Sequence, residues 1–169
     1  MNLTKSLFSV CCLALSVQWA QAQEITFFTP STVRVVKNAP DTSKETGLSL
    51  VVTAKPEAVK VAKKTSGDVT TYSSSAITVS VNTKTQQVTF ADKKGNTLMQ
   101  EGSMGFNPIT SGPDAGRYKV KQAFALPEDE CIYGLGLLQN EKMSQRGEHR
   151  LMTQSNLEDY SHFFQSIKG

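Results

Sequence analysis

From Ile77 to Met99 the chain alternates apolar and polar residues with a period of two, broken twice by turn signals, and this pattern constrains its fold more than any other feature. Ile77-Thr78-Val79-Ser80-Val81 puts its aliphatic side chains on one face, as a half-buried strand does. Asn82 to Thr85 supplies a turn, Val88-Thr89-Phe90 resumes the alternation, and Asp92 to Asn96 turns again before Thr97-Leu98-Met99. A helix of period 3.6 would scatter these side chains around its whole circumference. The segment therefore predicts a three-stranded meander. Short runs rich in β-branched residues precede it at Ile25 to Thr29, Thr32 to Val36, Leu48 to Thr53, Val59 to Ala62 and Val69 to Tyr72, punctuated by Pro30, Pro40, Pro56 and Gly67. Downstream, Arg117 to Leu126 carries Tyr118, Val120 and Phe124 on one face and Lys119 and Lys121 on the other. The segment from Gly102 to Gly116, with four glycines and two prolines, reads as a long loop joining two sheets. Nothing after residue 22 sustains a helical apolar pattern, although Asn140 to Ser144 has room for one short turn. The expected fold is all-β, an antiparallel β-sandwich.

At the N-terminus, Lys5 precedes an apolar run from Leu7 to Val17, and Ala20 and Ala22 flank Gln21 just before Gln23. A positive end, an apolar stretch too short to span a bilayer, and small residues at the two positions a signal peptidase reads predict a cleavable leader over residues 1–22. The expected destination is the periplasm or the extracellular space, with no membrane attachment after cleavage. Gln23 to Gly169 is long enough for a single domain with its own core. Of three cysteines, only Cys131 lies beyond residue 22, so the exported chain is expected to hold no intramolecular disulfide. The net charge is +3, acids and bases are interspersed, and no basic stripe marks a nucleic-acid partner. The pairs Lys63-Lys64 and Lys93-Lys94 are placed in turns, where they would be solvated.

Few residues offer chemistry. Tyr133-Gly134-Leu135-Gly136 lacks the third glycine of a dinucleotide loop, since Gln139 stands at that position, and no helix follows; a tight bend or a close backbone approach accounts for it. His149 and His162 are the only histidines and have no metal-ligand spacing, so neither a metal nor a cofactor is expected. Glu128-Asp129-Glu130 and Glu158-Asp159 are carboxylate clusters, but a retaining glycosidase pair must converge across about 5 Å from separate elements. Sequence neighbours do not supply that geometry, and these read as solvated turn acids. The only tryptophan, Trp19, falls in the leader, which disfavours a freestanding sugar-binding face.

The order Tyr133-Gly134-Leu135-Gly136, Arg146-Gly147, Asn156 and Phe163-Phe164-Gln165-Ser166-Ile167-Lys168-Gly169 resembles the N-terminal β-sandwich of glycoside hydrolase family 31, the retaining α-glucosidases and α-xylosidases. Pro30 to Val35, Ser74 to Val79 and the hairpin from Phe90 to Leu98 are similar to earlier segments of the same domain. The resemblance implies a galactose-mutarotase-like sandwich packed against a (β/α)8 barrel that carries the aspartate nucleophile and the aspartate acid/base. It transfers no catalytic residue to this chain, which alone is expected to be inactive. The family's sandwich sometimes lends a loop to the rim of the active site, and Asn156, Glu158, Asp159 and Tyr160 match the place of that loop.

Two functions are therefore compared. In the first, the chain is the noncatalytic N-terminal part of an exported α-glycosidase, its partners being the barrel and, through the parent enzyme, an α-linked oligosaccharide. In the second, it is a freestanding exported sandwich that binds glycans or a protein. The apolar run Phe163-Phe164-Gln165-Ser166-Ile167 at the very end favours the first, because a complete domain is expected to close on a polar tail.

Overall fold

The computed structural model describes residues 23–40, 51–153 and 159–168. Among these residues there is no helix; ten strands are β1 (Gln23–Thr29), β2 (Thr32–Lys37), β3 (Ala62–Ser66), β4 (Val69–Ser73), β5 (Ile77–Asn82), β6 (Val88–Asp92), β7 (Thr97–Pro108), β8 (Tyr118–Phe124), β9 (Ile132–Leu137) and β10 (Asp159–Ser166). The chain divides into two compact units, residues 1–123 and 124–169.

In the first unit, β3 to β8 form a six-stranded sheet in sequence order, and β1 and β2 form a separate antiparallel hairpin. The period-two pattern decides which side of the sheet is buried. Register sets Val79 opposite Tyr72 and Phe90, and Val81 opposite Thr70 and Val88, so one face carries a continuous apolar strip. Val79 and Val88 are fully buried there. The opposite face carries Thr71, Ser80 and Thr89 in register, with the hydroxyls of Thr71 and Ser80 3.4 Å apart. The hairpin repeats the logic: Ile25 pairs with Val35 and Phe27 with Val33, and this apolar face packs with Val79, Val81 and Val88 into one core. The result is a two-layer, sandwich-like β structure.

Two tethers hold hairpin and sheet together. Ser74 is buried, donates its hydroxyl to the Pro30 carbonyl at 2.5 Å, and accepts the N–H groups of Ala76 and Ile77 at 3.1 Å. Lys37, at the end of β2, forms an ion pair with Glu101 of β7, each side chain being only 9% exposed.

Several sequence expectations give way here, among them the strand expected at Val59 to Ala62, of which only Ala62 lies in one. Gly102 to Pro108 is the second half of β7, not loop; Gly102 lies so close to β8 that a Cβ there would be 3.3 Å from that of Ala123. Its glycine serves close strand packing, and the true connection is a hairpin closed by Ile109 N–H to Arg117 O and Gly116 N–H to Ile109 O within one sheet. Lys63 and Lys64 lie in β3, paired with Tyr72 and Thr71, where an exposed lysine-bearing edge strand resists further pairing. Of the strand expected at Leu48 to Thr53, residues 48–50 lie outside the described residues, and Val51 to Thr53 are not in a strand.

Candidate functional site

The second unit contains the anticipated rim segment. β9 and β10 pair antiparallel, Asp159 opposite Leu137 and Tyr160 opposite Gly136, then Phe164 opposite Gly134 after an irregularity that sets Ser161 to Phe163 against Leu135. The glycines make this ladder possible. Gly136 has φ +115°, and a Cβ there would stand 1.9 Å from the Asp159 carbonyl oxygen; at Gly134 it would meet the Phe163 carbonyl oxygen at 2.9 Å. Close backbone approach is thus the role of the Tyr-Gly-Leu-Gly run, but within a strand rather than at a bend. Leu135 also takes a left-handed φ, +68°, at the centre of the irregularity.

Asp159 is exposed and Tyr160 half-buried at the start of β10, while Asn156 and Glu158 lie outside the described residues. The structure therefore brings two of the four rim candidates together, as neighbours on one strand. Three other carboxylates of this unit are engaged with cations: Glu148 with Lys142 and with Arg150, and Asp129 and Glu130 with Lys168. Hydrogen bonding from Lys142 holds the Glu148 carboxyl below the ordinary carboxylate range, assisted by the charges of Lys142 and Arg150. The hydrogen bond that the Tyr133 phenol donates to the Cys131 sulfur holds its proton in place and raises the phenol above its usual value, and the negative charge that Cys131 can carry works in the same direction. His149 and His162 are exposed, and among the described residues no cluster of three or more His, Cys, Asp or Glu side chains could hold a metal.

Arg146 is the residue whose role the sequence did not disclose. Its guanidinium donates to the carbonyls of Pro127 at 2.6 Å, Glu130 at 2.9 Å and Leu126 at 3.4 Å, clamping the acidic turn that leads into β9. Its place in the Arg-Gly motif was the only available signal.

Among its described residues the second unit buries no apolar side chain. All buried apolar side chains among the described residues belong to the first unit, whereas Leu137, Leu151, Phe163, Phe164 and Ile167 are exposed, Phe163 by 71% and Phe164 by 54%. The first unit has a cavity of about 370 Å³ bordered by Gln23, Lys37, Gln87, Ser103, Met104 and Phe106.

Comparison with known proteins identifies the family. The family model of the glycosyl hydrolase 31 N-terminal galactose mutarotase-like domain matches residues 22–163. Among solved structures, the chain is similar to a GH31 alpha-xylosidase from Xanthomonas citri, with 24% identity, a TM-score of 0.74 and 90% of this chain covered. It is also similar to a GH31 alpha-xylosidase from a soil metagenome, solved with xylose, with 22% identity, a TM-score of 0.67 and 89% covered. The chain spans only 17% and 25% of the lengths of those two proteins.

Proposed function

The chain belongs to the family of glycosyl hydrolase 31 N-terminal galactose mutarotase-like domains, and on that premise we propose that it serves as the noncatalytic N-terminal domain of an exported retaining α-glycosidase. Its part is to pack against the catalytic barrel. The observation that carries this is the second unit: a two-stranded ladder with Phe163 and Phe164 exposed and no buried apolar side chain among its described residues. A two-stranded ribbon is at best marginally stable in water without a surface to cover it, and a run of exposed aromatic and aliphatic side chains marks an interaction face.

The carboxylates with known partners in this unit neutralise lysine and arginine, an arrangement suited to fixing turns rather than to protonating a leaving group. Asp159 and Tyr160, placed on β10 by the Gly136 contact, are the residues we assign to the active-site rim. They would contact an α-linked oligosaccharide held by the barrel and leave bond cleavage to the barrel's own acids. Export through the leader at residues 1–22 belongs to the same proposal.

The test is incubation of the purified chain with aryl α-xyloside and aryl α-glucoside, alongside light scattering and binding of a hydrophobic dye. The expected outcome is no release of the aryl alcohol, together with dye binding and self-association. Turnover by this chain alone would overturn the noncatalytic assignment. A strictly monomeric, dye-silent chain would overturn the docking face.

A further inference from the structure

We propose that the cavity of the first unit, about 370 Å³ and bordered by β1, β2 and β7, binds a single pyranose sugar. The proposal requires no processing of the chain.

The polar wall is built by a cross-strand pair. Gln23 and Lys37 are partners in the β1–β2 ladder, so their side chains leave the hairpin on one face, and both border the cavity. The Gln23 amide is buried, yet neither Nε2 nor Oε1 has a hydrogen-bond partner among the described residues. Burying an amide without partners is unfavourable, so the contents of the cavity have to supply an acceptor for Nε2 and a donor for Oε1, side by side. Two adjacent hydroxyls do this, because each hydroxyl both donates and accepts. Lys37 adds a further donor: a lysine ammonium carries three N–H groups, and two of them go to Glu101 and to the Gln86 carbonyl at 2.9 Å.

Charge decides against an ion. Lys37 and Glu101 neutralise each other. An anion would have to displace Glu101, which also accepts the Val88 N–H at 2.8 Å, and a cation would meet the Lys37 ammonium. A neutral polyol satisfies both.

The apolar wall asks for a ring. Met104 and Phe106, both half-buried, border the cavity together with Pro40. Tyr118 holds two of these residues: its ring meets that of Phe106 at 87° with centroids 6.3 Å apart, and its hydroxyl donates to the Pro40 carbonyl at 2.8 Å. A pyranose presents C–H groups to such a wall and hydroxyls to the amide. The volume lies near the lower end of the roughly 300–1,000 Å³ of small-molecule sites, which is room for one ring rather than for a chain. An open sugar-binding face relies on a tryptophan platform, whereas a cavity that grips through an amide does not.

The experiment titrates the isotope-labelled 169-residue chain with D-xylose, D-glucose, acetate and methylammonium and follows the resonances of Gln23, Lys37 and Phe106 by NMR. A Gln23→Met variant, similar in shape but without the amide, is carried in parallel with urea unfolding. The expected result is a saturable shift with at least one sugar, with a dissociation constant on the order of 1 mM, and none with either ion. Gln23→Met should weaken that binding tenfold or more without lowering the urea midpoint, because the amide has no protein partner to lose. Absence of a saturable shift with both sugars would mean that water alone serves the amide and would overturn the proposal. Binding of acetate or methylammonium in place of the sugars would overturn the ligand class, and unchanged sugar binding by a folded Gln23→Met variant would overturn the site.

Discussion

Replacing Lys37 by Met removes the positive half of an ion pair whose two side chains are each 9% exposed. Glu101 would keep its bond from the Val88 N–H but would lie buried without a countercharge, a change that costs about 3–5 kcal/mol. The Gln86 carbonyl would lose its Lys37 donor as well, at a residue held with φ +60°, adding about 1 kcal/mol. Against the total of about 5–15 kcal/mol available to a domain of ordinary stability, this is about a quarter or more. Glu101→Leu alone should cost a similar amount, since it strands Lys37 and leaves the Val88 N–H without its acceptor. The double variant leaves the Val88 N–H and the Gln86 carbonyl without these partners but strands no charge, and should lie within about 2–4 kcal/mol of the unmodified protein. Urea unfolding followed by far-UV circular dichroism on all four proteins gives the cycle directly. Simple additivity, or a Lys37→Met cost below about 1 kcal/mol as for an exposed pair, would refute the idea that this contact is a desolvated tether between β2 and β7.

Gly136→Ala should disrupt the β9–β10 ladder, because the added Cβ would overlap the Asp159 carbonyl and the backbone strain at positive φ adds about 1–3 kcal/mol; hydrogen exchange should speed up across Ile132 to Leu137 and leave β5 protected, and an unchanged β9 would contradict the close-approach role. Asp92 accepts the side-chain N–H of Asn96 at 2.7 Å and the backbone N–H groups of Lys94 and Asn96 at 2.8 Å, and the Asn96 side chain is the foremost reason its carboxyl titrates below the ordinary 3.8. A depressed folded value contributes stability that is fully present above the ordinary value and is lost as pH falls through the lower one, so Asn96→Ala should move the Asp92 titration upward in a carboxyl NMR experiment; an unmoved curve would show that the turn's backbone donors suffice.

Much of the first unit was legible because its signals are local. Alternation over Ile77 to Val81 and Val88 to Phe90 reports which side chains share a face, and the Asp92-to-Asn96 turn is built from neighbours in sequence, so strand identity and hairpin order followed from short windows. Gly102 and Gly105 misled for the same reason: glycine in a short window signals a turn, and the contact with Ala123 that gives Gly102 its purpose lies outside that window. Of the rim candidates, Asp159 and Tyr160 proved to be strand residues, and nothing local to them announces that Gly136 makes their position possible.

The sequence by itself thus determined that the chain is all-β, where its hairpins turn, and which family it resembles, since these depend on periodicity, turn chemistry and motif order. Only the tertiary structure decided that Lys37 and Glu101, 64 residues apart, neutralise each other, that Arg146 clamps the turn before β9, and that Phe163 and Phe164 remain exposed. Each of those depends on distances between segments that only folding brings together, and an apolar residue looks the same in sequence whether or not it finds a neighbour to cover it.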